Sequence, residues 1–280
     1  MNRFYRRLSD SWKASNSLLC VGLDPDTGKM PRSIANDSES LFKFNREIIT
    51  AVAPFACAFK PQIAYYAAVG AENQLQKTID FIKLEYPEIP VILDAKRGDI
   101  GATADMYARE AFERYQVDAV TVNPYMGGDT IAPFTRYRDR GVVVLCRTSN
   151  PGSGDLQEWK SDSTELYRQV AALAATQWNT NTNVALVVGA TYPEILGEVR
   201  EIVGDMPLLV PGIGAQGGDL EAVVANGLDS NNCGLMINMS RSIIYASSAA
   251  DFAEAAASQA EQAVQQINQY RQLHSQGTSD

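Results

Sequence analysis

Histidine is almost missing from this sequence: among 280 residues only His274 is one, and it lies in the polar end HSQGTSD. A Ser-His-Asp triad and a histidine-held metal in the folded core are thereby excluded. Acid–base work must fall to Asp, Glu, Lys, Tyr or Cys. Cysteine is scarce as well. Cys20, Cys57, Cys146 and Cys233 are scattered, each in an apolar strand-like run, with no CxxC spacing. They read as buried, reduced, small hydrophobes rather than a disulfide or zinc set. No apolar run approaches the ~18–20 residues of a membrane helix. The start MNRFYRRLSDSWKASNS also lacks a run suited to a signal peptide. The expected location is therefore the cytoplasm, with no membrane partner. Positive charge is outnumbered, 24 Lys and Arg against 33 Asp and Glu, for a net charge of −9. That balance disfavours nucleic acid as a partner but leaves room for a local cationic pocket that binds phosphate. Arg6 and Arg7 read as a solvated face.

What is present is a repeating pattern. Short apolar runs at 18–24, 55–60, 90–96, 118–123, 141–147, 184–189, 208–213 and 234–238 alternate with longer segments. Most runs are near-continuously apolar, as parallel strands covered on both faces require. The intervening segments, among them 38–53, 72–86, 103–115, 164–178 and 250–272, read as helices. Eight strands alternating with helices over this length predict a (β/α)8 TIM barrel, with a doubly wound open sheet as the alternative. No linker divides the chain. The expectation is one barrel domain over 1–280, with a short flexible tail after about 272. The segment 150–163 reads as a long loop after strand five, and the last helix as packing on the barrel exterior.

In such a barrel the functional site lies where strands end and βα loops begin. Polar residues collect there. Asp94 and Lys96 stand two apart on strand three, so their side chains share one face. Asp99 follows in a loop where Gly98 and Gly101 permit unusual backbone angles. Thr103 then opens a helix as a cap or a ligand hydroxyl. Lys60 ends the neighbouring strand and can reach the same mouth. Two lysines and two aspartates in a partly dry space hold one another ionised. The same four charges could instead be a salt-bridge network that only closes the barrel end. The cost of burying such a network is one reason to suspect function.

The run DAKRGDIGAT resembles the signature of the orotidine 5′-monophosphate decarboxylases, Asp-x-Lys-x-x-Asp followed by a small residue and Thr. FKPQIAYY, with Lys60, resembles that family's strand-two lysine segment. TSNPGS resembles its strand-five loop over the pyrimidine. PGIGAQGGD resembles its strand-seven phosphate loop, and NMSRSIIYA its strand-eight arginine segment. The matches run in the family's order from Asp24 to Arg241. Ser240 stands where other members carry Gly, and Asn150 where some carry His.

The resemblance implies decarboxylation of orotidine 5′-monophosphate to uridine 5′-monophosphate, without cofactor or metal. Lys60, Asp94, Lys96 and Asp99 would be catalytic. Lys96 would steady and protonate the carbanion, and Asp94 would crowd the departing carboxylate. Lys60 and Asp99 would keep the network oriented. Asp24 would contact the ribose and Ser149 the pyrimidine. Pro211, Gln216, Ser240 and Arg241 would surround the phosphate, Arg241 as a bidentate donor and Gln216 by closing over it. A homodimer would carry Asp99 and Thr103 into the partner's site. Two other readings stand beside this one. A magnesium-dependent sugar-phosphate aldolase or decarboxylase shares Asp-x-Lys-x-x-Asp, but Lys60 replaces an acidic metal ligand and no histidine acid is available. A non-catalytic nucleotide-binding protein would be expected to lack one of the four charges.

Overall fold

Runs that are apolar on both faces become strands buried on both faces. The structure, a computed structural model, describes residues 3–214 and 217–276. Its eight barrel strands are β1 (Leu19–Leu23), β2 (Ala58–Pro61), β3 (Ile92–Arg97), β4 (Ala119–Val122), β5 (Gly141–Arg147), β6 (Val184–Val188), β7 (Leu208–Pro211) and β8 (Leu235–Met239). Every residue of β1, β2, β4 and β6 is buried. All neighbours are parallel, in the order β2-β1-β8-β7-β6-β5-β4-β3. Parallel bridges Phe59↔Val91 and Gln62↔Asp94 join the two end strands. The sheet thus closes as a (β/α)8 barrel with helices between the strands, not as an open doubly wound sheet.

The two ends of the barrel differ. The helix Arg3–Ser15 covers the end where the strands begin. Phe4, Leu8 and Trp12 are buried there, and Ser11 Oγ donates to Cys57 O at 2.8 Å. Arg6 is exposed, but Arg7 is not the solvated residue expected. Its Nε lies 3.0 Å from Asp118 Oδ1, and it donates to Pro87 O at 2.7 Å. The buried Asp118 carboxylate, just before β4, calls for that counter-charge. At the opposite end the strands are irregular. The β3–β4 register shifts between Leu93 and Arg97, and β5–β6 between Leu145 and Arg147. Such bulges re-aim side chains near sites.

The helix Phe252–Gln276 packs on the outside as expected, with Phe252 stacked on Phe44 at 5.4 Å between centroids. It runs on to Gln276, past the point where a flexible tail was expected to begin; residues 277–280 lie outside the described residues. The segment after β5 is more ordered than a bare loop. It holds the turn Pro151–Ser153, the short helix Gly154–Gln157 and a hairpin pairing Lys160–Ser161 with Thr164–Glu165. Asp162 and Ser163, both at positive φ, make its two-residue turn, so the next helix starts at Leu166 rather than 164. Cys20, Cys57 and Cys146 are buried thiols. Cys233 is only partly buried, in the loop before β8, beside Arg271 at 3.5 Å. Among the described residues no helix is long and apolar enough to cross a membrane.

Candidate active site

The strand ends frame a cavity of about 480 Å³, lined by Asp24, Lys96, Ser149, Pro211, Ser240 and Arg241 with several residues the sequence did not single out. Six predicted site residues from five strand ends thus meet in one space. Asp24 follows β1, Lys96 is on β3, Ser149 follows β5, Pro211 ends β7, and Ser240 and Arg241 follow β8.

Asp94 and Lys60 lie just below this mouth, both buried. Lys60 Nζ is 2.8 Å from Asp94 Oδ2, and Lys96 Nζ is 2.6 Å from Asp94 Oδ1. Lys60 is enclosed, whereas the Lys96 side chain is 46% exposed and reaches into the cavity. Burial alone would push the Asp94 carboxyl up. The ammonium groups of Lys60 and Lys96 outweigh it and hold the carboxyl well below the ordinary carboxylate range. Burial alone would also pull Lys60 down, yet the charges of Asp94 and then Asp24 carry it above the ordinary lysine value. A lowered carboxylate stabilises the fold above its unfolded value near ~4 and loses that contribution as pH falls. A raised lysine stabilises below its unfolded value near ~10 and loses it as pH rises. The buried pair therefore stays charged across the neutral range.

Asp94 and Lys96 meet, but not by simple strand alternation. Lys96 sits at φ +46, in the left-handed region, inside the β3–β4 register slip. Asp99 does not join the pair. Its Oδ1 accepts from Ile100 N at 2.8 Å, and no ion pair to either lysine forms within the chain among the described residues. Thr103 is exposed in the first turn of the helix Gly101–Arg109, whose N-cap position is Ile100, so it does not cap that helix. Gln216 lies outside the described residues.

Polar atoms in the cavity wall await partners. Asp24 Oδ1, Asn238 Oδ1 and Ser240 Oγ are buried without a hydrogen bond among the described residues. Such groups are costly unless something satisfies them, and two acceptors here suit a ligand with hydroxyl donors. Gly22 makes room for Ser240, because a Cβ on it would stand 2.7 Å from Ser240 Cβ. In the loop after β7, Gly212 at φ +110 and Gly214 at φ +79 take angles that side chains disfavour. Backbone at such angles can approach an anion closely. Arg241 follows at the start of the short helix Arg241–Ile244, exposed and with no carboxylate partner among the described residues.

The wall formed after β5 was only partly legible. Thr148, Asn150 and Gln157 line the cavity with Ser149. Gln157 Oε1 accepts from Thr148 N at 2.8 Å, and Thr148 Oγ1 donates to Asn150 Oδ1 at 2.7 Å. Arg147, a polar strand end by sequence, is fully buried behind this wall. Its guanidinium donates to Ser153 Oγ and Thr148 O, pairs with Glu158 and lies 4.0 Å from the Tyr192 ring centroid. It ties the start of this segment to the turn at Ser153 and to Glu158 at the end of the short helix.

The geometry has counterparts. A sequence model of the orotidine 5′-phosphate decarboxylase / HUMPS family matches residues 17–256. A Ralstonia pickettii protein named orotidine 5′-phosphate decarboxylase is 55% identical over 269 residues, 96% of this chain and 99% of its own. The solved structure of Leishmania donovani OMP decarboxylase superposes with a TM-score of 0.83 at 40% identity, over 97% of this chain and 99% of that one. Leishmania donovani UMP synthase gives a TM-score of 0.86 at 41% identity, over 97% of this chain but only 57% of the larger protein.

Proposed function

The chain belongs to the orotidine 5′-phosphate decarboxylase / HUMPS family, and from that membership we propose how its barrel mouth carries out the reaction. It is an enzyme that converts orotidine 5′-monophosphate to uridine 5′-monophosphate and carbon dioxide, the last step of UMP biosynthesis. Relatives named for that activity at 55% identity over nearly the whole chain disfavour both the magnesium-dependent and the non-catalytic readings.

In our reading the phosphate lies at Arg241 and the loop after β7, with Gln216 closing over it. The ribose lies at Asp24 and the pyrimidine against Ser149. The ring carboxylate then points at Asp94. Two like charges ~4 Å apart cost about 4 kcal/mol at an effective dielectric of about 20. That repulsion vanishes as neutral carbon dioxide leaves. The carbon–carbon bond breaks, its electron pair stays on the ring carbon, and a proton from Lys96 Nζ follows onto that carbon. Lys96 then recovers a proton from water. Lys60 keeps Asp94 charged throughout. The observation that carries this reading is one carboxylate held between two ammonium groups at 2.8 and 2.6 Å beneath the cavity. Both oxygens of Asp94 are taken by lysines, which supports chemistry free of cofactor and metal. Turnover followed by ultraviolet absorbance should be undiminished in excess EDTA; loss on chelation, restored by magnesium, would reject the metal-free mechanism.

We read the described residues as one barrel domain, because the first and last helices join the same buried core. The free buried thiols favour a reducing cytoplasm. The active unit we propose is a homodimer. Ile100, Met106, Tyr125 and Met126 are exposed apolar side chains around Asp99 and Thr103. A second copy covering them would carry Asp99 and Thr103 toward the partner's mouth. Mixing inactive Lys96→Ala and Asp99→Ala chains, with exchange of subunits, should then restore activity to about a quarter of the sites, as symmetric pairing requires. Mixtures as inactive as their components would reject the shared site.

A further inference from the structure

Asp94 and the backbone of Lys96 are held from a single atom on another strand. Thr121, in the middle of β4, is buried between Val120 and Val122. Its Oγ1 accepts from Ala95 N at 3.0 Å and from Lys96 N at 2.9 Å. The same hydroxyl donates to Asp94 Oδ1 at 2.9 Å. A hydroxyl has two lone pairs and one proton. Here the two N–H donors take both lone pairs, so the proton has only Asp94 to meet. Two consecutive backbone N–H groups cannot converge on one atom in a regular strand, where they alternate in direction. They converge here because Lys96 stands at φ +46 within the β3–β4 register slip. A non-glycine residue there is strained and persists only where its surroundings hold it.

We propose that Thr121 is a positioning residue for the decarboxylation: its hydroxyl fixes the bulge that carries Lys96 and, through its one proton, the orientation of the Asp94 carboxylate. The inference rests on Asp94 and Lys96 being the reacting pair. Thr121 does not line the cavity, so it acts through these two residues and not on substrate. Oδ1 receives Thr121 and Lys96 while Oδ2 receives Lys60. With three donors around it, the carboxylate cannot swing away from an incoming anion. Lys96, tied by its own N–H to the same hydroxyl, is kept within reach of the ring carbon that must be protonated. No phosphate, ribose or pyrimidine contact passes through Thr121.

The test is Thr121→Val, which keeps the shape and removes the hydroxyl, beside Thr121→Ser, which restores it. The valine removes all three hydrogen bonds of the hydroxyl, and the one to the charged Asp94 carboxylate by itself is expected to lower kcat by about 10–100-fold. Affinity for uridine 5′-monophosphate, which lacks the carboxylate, should stay within about 2-fold, as for distant, independent sites. Thr121→Ser should recover most of the lost kcat. If Thr121→Val does not fold, Thr121→Ala takes its place in the same comparison. Unchanged kcat in the hydroxyl-free variant would overturn the proposal. So would a parallel loss of kcat and product affinity, or a serine variant as impaired as the valine. Wild-type chain that does not turn over orotidine 5′-monophosphate would instead reject the functional reading on which the proposal rests.

Discussion

Lys96→Ala is expected to lower kcat on orotidine 5′-monophosphate by about 10⁴-fold or more, because proton donation (~10²–10⁴) and charge stabilisation (~10²–10³) reside in one group. The fold should survive. The Lys96 side chain is 46% exposed, so its removal opens no cavity. Asp94 also keeps its partners Lys60 and Thr121, so no buried charge is stranded. A half-exposed ion pair contributes ~1 kcal/mol or less, so Tm should fall by no more than about 4 °C. Lys60→Ala would behave differently. That ammonium is enclosed, and deleting it leaves Asp94 buried beside only a half-exposed counter-charge, where breaking a buried pair costs about 3–5 kcal/mol. Steady-state kinetics and thermal melts on the two variants separate the roles. A folded Lys96→Ala chain with wild-type kcat would remove Lys96 from the chemistry.

The barrel was legible because it rests on local rules, and most of the six residues around its mouth because their motifs resemble those of the family. Apolar runs such as VALVV can be buried only on both faces, and strands of that kind place their polar ends at one rim. Asp94 and Lys96 were found through a spacing of two, yet the contact is made by a left-handed Lys96 that period-two reasoning does not contain. Thr121 was missed because one hydroxyl in AVTV looks like an ordinary β-branched strand residue. Its role exists only through strand pairing with β3. The place of Arg147 could not be read from the sequence for a related reason. A charged residue at a strand end reads as facing the mouth, and only the fold reveals Glu158, Ser153 and Tyr192 closing over it. Gln157 is a polar residue without a motif of its own, and Asn238 opens NMSRSIIYA as a strand residue that only the fold turns toward the cavity. Arg7 shows the opposite error, a charge assigned to solvent that in fact neutralises Asp118. Asp99 and Thr103 lie beyond any single-chain account if their place is a partner's site.

Arg241→Ala should lower kcat/KM on orotidine 5′-monophosphate by about 10²–10⁴-fold, the loss of two charge-assisted hydrogen bonds at ~1.5–3 kcal/mol each. The reacting carbon is remote from this guanidinium, so the loss would reach the chemical step only if phosphate binding helps to assemble the site. Arg241 opens the helix after β8, lines the same cavity as Lys96 and is exposed. Its removal should accordingly leave Tm unchanged within about 2 °C, the size of effect expected for a surface substitution. A second substrate isolates the phosphate term. With orotidine, which has no phosphate, wild type and Arg241→Ala should decarboxylate at the same low efficiency, because the interaction is already absent from both. The four rates form a cycle whose coupling is the arginine–phosphate interaction in the transition state. Equal losses on both substrates would mean that Arg241 supports the site in general rather than reading the phosphate. The anion would then have to be held by the glycine-rich backbone after β7.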